Sequence, residues 1–213
     1  MDMGACSNCS DVHSCTPFRP ALVVDTSHVF VVDRMLRRFS QLDLISVAGD
    51  IWSAHACAGN RALLCSKTVV TKEYADERIL VQASVGSLEP LLEVKQDDGW
   101  EGLRSKVSGV GDDDVTLVHV CLECDDQPAW LVSDDEALLD AVDRLWESPV
   151  MAVHSLDLLL DLTECGALDE TYADAALESE GDYLATRDLP PDVRHRKNLR
   201  LNEMTTRVAN LVV

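Results

Sequence analysis

Short apolar runs alternate along this chain with stretches whose apolar residues recur every three or four positions. The alternation is clearest over residues 128–162. Residues 129–132 (AWLV) form a run that stops at Ser133, Asp134 and Asp135. Leu138, Leu139, Val142 and Leu145 follow at helical spacing with acids between them. Residues 149–153 are apolar again, and Ser155 is expected to cap a Leu-rich helix that runs to Leu162. A strand, an acid-bearing turn, a helix, a strand and a helix are the grammar of a parallel sheet. Such sheets deliver loops from several strands to the edge where the strands end, and reactive groups gather there.

The rest of the chain repeats this grammar. ALVVD (residues 21–25) is a compact apolar run ending in Asp25, followed by a helical pattern to residue 39. Residues 42–66 read as helical. A strand at 68–70 leads into a helix at 72–82 carrying Glu73 and Glu77, four apart and on one face. Residues 91–94 read as an edge strand and 100–107 as a short helix. Asp112, Asp113 and Asp114 then head an apolar helix over residues 115–124. After Gly166 the periodicity fades. Residues 169–191 read as acidic and exposed, with Pro190 and Pro191 as a breaker. Residues 193–213 turn basic through Arg194, His195, Arg196, Lys197 and Arg200. This last stretch is either an arm that docks on a partner or a second copy, or a phosphate-holding patch.

Composition narrows these readings. The 213 residues are 46% hydrophobic, enough for one real core plus tails: a leader at 1–20, a domain at 21–169 and a tail at 170–213. No segment has the length to span a bilayer and the start lacks a signal-peptide layout, so a cytoplasmic protein with no membrane partner is expected. A formal charge of −20 argues against polyanion binding through a general basic surface. It suits either an acidic partner for a basic protein or a high-salt cytosol. Eight cysteines in a chain of this size, without a secretory signal, are expected as thiols. Cys6, Cys9, His13 and Cys15 have the donor types for a zinc site in the leader; the alternative is a leader with incidental thiols.

Single acids at strand ends are ordinary helix caps or dipole partners. Here they recur: Asp25 after one strand, Glu77 after the next, Asp114 heading a later helix, and Asp134 and Asp135 after another strand. Carboxylates crowded at one edge repel unless a cation joins them, and oxygen-only ligands select Mg2+ or Mn2+. Without a Gly-rich phosphate loop or a Ser-His-Asp grouping, such a cluster points to metal-assisted phosphodiester hydrolysis.

In this order and spacing the motifs resemble the PIN domain family of metal-dependent nucleases, over roughly residues 21–169. ALVVDTS is similar to that family's opening strand and Asp, TVVTKEYADE to its Glu-bearing helix, and DDDVTLVHVCLE to its Asp-headed helix. WLVSDDEAL resembles its strand followed by Ser/Thr-x-Asp, and VMAVHSLDLLLDLTECGAL its closing strand and Leu-rich helix before a Gly, here Gly166. The resemblance implies an α/β fold, a three-layer α/β/α sandwich with a central, mostly parallel sheet. It implies Asp25, Glu77, Asp114 and Asp135 as catalytic carboxylates around one or two Mg2+ or Mn2+ ions, and Ser133 as the orienting hydroxyl. Asp134 is an additional ligand candidate, and Asp113 an alternative to Asp114. RNA is the implied substrate. A toxin of a toxin–antitoxin pair, inhibited by an antitoxin Arg in the acidic groove, is one implied setting, and an RNA-processing nuclease another. A homodimer is also compatible. The competing class is a non-catalytic PIN-like interaction module whose acids are caps.

Overall fold

The computed structural model describes residues 21–39, 62–64, 89–90, 97–123, 129–145 and 148–211. It is a mixed α/β fold, mostly helical, built on a small parallel sheet. The strands are β1 (Ala21–Val24), β2 (Ala62–Leu64), β3 (Glu89–Pro90), β4 (Ala129–Ser133) and β5 (Val150–His154). Their order in the sheet is β3-β2-β1-β4-β5, every pair parallel. The helices are α1 (Thr26–Leu36), α2 (Asp98–Lys106), α3 (Asp112–Glu123), α4 (Glu136–Asp143), α5 (Ser155–Glu164), α6 (Glu170–Thr186) and α7 (Pro191–Leu211).

Strand side chains alternate in direction, and here the alternation sorts two cores. Leu22, Val24, Trp130 and Val132 join one cluster with residues of α1, α5, α6 and α7. Val23, Ala129, Leu131 and Val150 join a second with residues of α2, α3 and α4. Every residue of β4 is buried, as expected of a strand covered on both faces. That is why residues 129–132 read as a continuous apolar run rather than an alternating one.

Local chemistry sets the helix ends. Asp97, Asp135 and Asp169 each accept a backbone N–H at the start of α2, α4 and α6. At α5 the cap is His154, whose ring accepts from the Leu156 N–H, and not the expected Ser155, which is the first helical residue. Gly166, at φ 75°, closes α5. Its N–H reaches the Thr163 carbonyl at 2.9 Å while the Ala167 N–H reaches that of Leu162 at 2.8 Å. This paired arrangement needs the left-handed conformation that glycine adopts without strain.

Three further expectations change. Residues 62–64 lie inside the stretch read as helical, yet pair with Leu22–Val24 as β2. A three-residue apolar run carries no period of its own, so only its neighbour decides. Residues 169–191 are not simply exposed: α6 buries Ala173, Ala175, Ala176 and Leu184. The basic segment, read as an arm for a partner or a second copy or as a phosphate-holding patch, packs on its own chain. It forms α7, which buries Lys197, Met204 and Val208 against the same chain. The zinc-candidate residues Cys6, Cys9, His13 and Cys15, the strands read at 68–70 and 91–94, and the helix at 72–82 with Glu73 and Glu77 lie outside the described residues.

Candidate functional site

Parallel pairing of β1 with β4 puts Val24 opposite Val132, so the residues that follow each strand emerge side by side at one sheet edge. The Asp25 N–H donates to the Val132 carbonyl at 2.9 Å and fixes this junction. Asp25 occupies the N-cap position of α1, but its side chain makes no cap hydrogen bond. Its Oδ2 instead accepts two hydroxyls, Ser27 at 2.5 Å and Ser133 at 2.8 Å. Each serine oxygen in turn accepts a backbone N–H: Ser27 from Asp134 at 2.7 Å, Ser133 from Asp135 at 2.9 Å. The two hydroxyls lie 3.0 Å apart with their protons already given to Asp25. The result is a serine bridge that ties α1 to the turn after β4 and holds a buried carboxylate in one orientation.

Asp135 caps α4, with Oδ1 accepting from Ala137 at 2.8 Å and from Leu138 at 3.4 Å. Asp114 lies in the first turn of α3 and its Oδ2 accepts the Gly111 N–H at 2.9 Å. This is the reach-back half of a capping box. Burial raises the proton affinity of the Asp114 carboxyl, and repulsion from Asp25, Asp135 and Asp113 adds to that rise against the Gly111 N–H. Asp114 therefore feels the acids that precede α1 and α4 across this edge. No described residue donates to Asp25 Oδ1, Asp114 Oδ1 or Asp135 Oδ2. An acidic edge with one oxygen of each carboxylate left over has the donor chemistry of a hard divalent cation. Among the described residues, no three such side chains are drawn close enough to enclose an ion as they stand. Glu77, the fourth expected carboxylate, lies outside the described residues.

Asp134 points to a different partner set. Its Oδ1 lies 2.7 Å from His154 Nε2, and its Oδ2 accepts from Lys197 Nζ at 2.8 Å. The three side chains are only 12%, 3% and 9% exposed. His154 Nδ1 accepts the Leu156 N–H, which turns Nε2 towards Asp134. Burial alone would raise the Asp134 carboxyl, but His154 and Lys197 outweigh it and hold it well below the usual range. Lys197 in turn is held above its usual value: burial lowers it, and Asp134, with Glu180 and Glu136, outweighs that burial. Lys197, His154 and Ser27 were not legible as site residues. Lys197 lies 63 positions from its partner, inside a run of bases that reads as surface. Ser27 alone left a signal, as a hydroxyl two residues after the strand-ending Asp.

A cavity of about 410 Å³ lies apart from this edge, lined by Arg34, Arg37, Arg38 and Arg187 among others. Arg34 pairs with the buried Glu180 at 2.7 Å and covers the Tyr183 ring, while Arg38 reaches Asp182 and the Glu178 carbonyl. These guanidiniums clamp α1 to α6. Among the described residues, no helix is long and apolar enough to cross a membrane. No family model, curated protein or solved structure matches the chain.

Proposed function

We propose that this chain is a metal-dependent endoribonuclease of PIN-like, three-layer α/β/α architecture. Its catalytic carboxylates would be Asp25, Asp114 and Asp135, with Glu77 completing the set. The observation that carries the reading is Asp25 itself. At a position where Asp normally caps a helix, its carboxylate is held by two hydroxyls beside two further acids. Capping accounts for Asp135 and Asp114 in part, but not for Asp25.

A Mg2+ or Mn2+ ion, when bound, would supply Lewis-acid stabilisation and an activated water for in-line hydrolysis that leaves a 3′-hydroxyl and a 5′-phosphate. The chain's own part is positioning. Ser133 and Ser27 orient Asp25, the Asp135 N–H steadies Ser133, and the crowded acids store repulsion that a cation relieves. Single-stranded RNA incubated with Mn2+ and either wild type or Asp25→Asn is the direct assay. Cleavage by wild type with a loss of roughly 100-fold or more in the variant is expected for a ligand of the reactive centre; equal rates contradict the reading. An acidic edge of this kind would also accept the Arg of a small inhibitory partner, as in a toxin–antitoxin pair.

A further inference from the structure

We infer that the arginine-lined cavity between the C-terminal ends of α1 and α6 binds a small phosphorylated molecule carrying two or more linked phosphates. The site lies apart from the carboxylate edge and does not depend on the nuclease reading.

In a chain of net charge −20, a grouping of guanidiniums is informative. Arg34 in the last turn of α1, with Arg37 and Arg38 just beyond it, meets Arg187 at the end of α6 around one cavity of about 410 Å³. That volume lies in the range of small-molecule pockets, about 300–1,000 Å³. Helix capping does not account for the group. Cations gather at helix C-termini because the last carbonyls lack donors. At α6 Arg194 of α7 meets that need, donating to the Leu184 carbonyl at 2.7 Å and to the Arg187 carbonyl at 2.5 Å. The Arg187 side chain instead lies over the Tyr183 ring, 5.7 Å from its centroid, and Arg34 lies over the same ring at 4.3 Å. Two cations gathered on one ring repel each other, and an anion beside them relieves that repulsion.

Ion pairing does not saturate these guanidiniums either. Glu180 is buried and holds Arg34 at 2.7 Å, yet Arg34 Nε is buried with no acceptor among the described residues. Asp33 holds Arg37 at 3.2 Å from within α1. Arg38 pairs with Asp182 and, at 3.5 Å, with Glu178, two side chains that are 73% and 67% exposed. Exposed pairs of this kind contribute little, so a ligand of higher charge density can replace them. Asp182 itself lines the cavity and, being exposed, can turn out into water when a ligand takes Arg38. This competition selects the ligand. A monoanion does not displace two carboxylates from Arg38, whereas a pyrophosphate group brings several charges and oxygens that match the guanidinium fork. A long RNA fits less well, because its many phosphates meet the whole negative surface while a small ligand meets the arginines.

Titration calorimetry on the full chain, in metal-free buffer at constant ionic strength, tests this with sodium pyrophosphate, adenosine diphosphate and a single-stranded RNA as probes. Pyrophosphate is expected to bind wild type with a Kd under about 1 mM. Arg38→Gln and Arg187→Gln should each weaken it by about tenfold or more, since each removes a charge-assisted fork. Arg38→Lys, which keeps the charge but not the fork, should fall between. Arg144→Gln, at the exposed end of α4, should leave binding unchanged. The ion pairs of Arg38 are exposed, so its variant folds and decides the matter if Arg187→Gln does not. Adenosine diphosphate binding no tighter than pyrophosphate would mark recognition through the phosphates alone, and tighter binding a nucleotide; either supports the site. No pyrophosphate binding, binding unmoved by Arg38→Gln or weakened equally by Arg144→Gln, or binding of RNA alone would overturn it. Neither metal nor cleavage enters the measurement, so its failure leaves the nuclease reading standing, and failure of the cleavage assay leaves this site standing.

Discussion

Asp114 gives the clearest electrostatic handle on the site. Its carboxyl is raised by burial and by neighbouring acids, so its protonated form is the better fit to the folded chain. Relative to an unshifted acid, it contributes stability below the unfolded value of 3.8 that is lost as pH rises through the raised folded value. Asp114→Asn should therefore stabilise the metal-free protein at neutral pH by roughly 0.2–1 kcal/mol, the scale of partly exposed charge terms. That gain should vanish as pH falls below the unfolded value, and thermal melts across the acid range would show it. The same substitution should abolish the Mn2+-dependent rise in melting temperature. Asp134 has the opposite sign. Its depressed carboxyl adds stability above the unfolded value of 3.8, lost as pH falls towards the folded value. Breaking its buried pair in Lys197→Met should cost about 3–5 kcal/mol, read from urea unfolding. Restoring the balance with Asp134→Asn should recover part of that cost. At this scale the sequence exposed Asp25 and the 133–135 turn through their place after apolar runs. It did not separate Asp134 from Asp135, because alternation assigns a side chain a direction but not a partner.

Among the elements, α7 changes most between sequence and structure. Its polar residues outnumber its apolar ones, and a stripe of Leu201, Met204 and Val208 is too sparse to stand out beside five nearby bases. The helix α6 hides differently, through the buried alanines 173, 175 and 176, whose small side chains mark a close approach and not a hydrophobic run. By contrast β1, β4, β5 and α5 are rich enough in Val and Leu to declare themselves. Docking of α7 onto the core should make Met204→Ala cost about 2–5 kcal/mol. Arg207→Ala, at a partly exposed network with Asp161 and Glu164, should cost no more than about 1 kcal/mol, and less as salt is raised. Denaturant midpoints of the two variants at low and high salt would separate the apolar and ionic parts of the docking.

At the scale of the molecule, 38 acids against 18 Lys and Arg leave a net charge of −20. Self-repulsion of that size is long-ranged and is screened as the Debye length shortens from about 10 Å at 0.1 M salt to about 3 Å at 1 M. The melting temperature should therefore rise with NaCl over that range, even though individual surface ion pairs weaken; a fall would mean that the ion pairs dominate. The parallel sheet was legible as a whole because each unit repeats strand, turn and helix. Its second and third strands along the chain were not, since β2 and β3 have three and two residues and take their identity from the strands beside them. The account comes together at one place, the edge where β1 and β4 end. An anomalous-difference map from crystals grown in Mn2+ tests it most directly. The account predicts a peak among the carboxylates of Asp25, Asp114 and Asp135, with Lys197 still bonded to Asp134. No peak there, or a peak on Asp134 with Lys197 displaced, would contradict it.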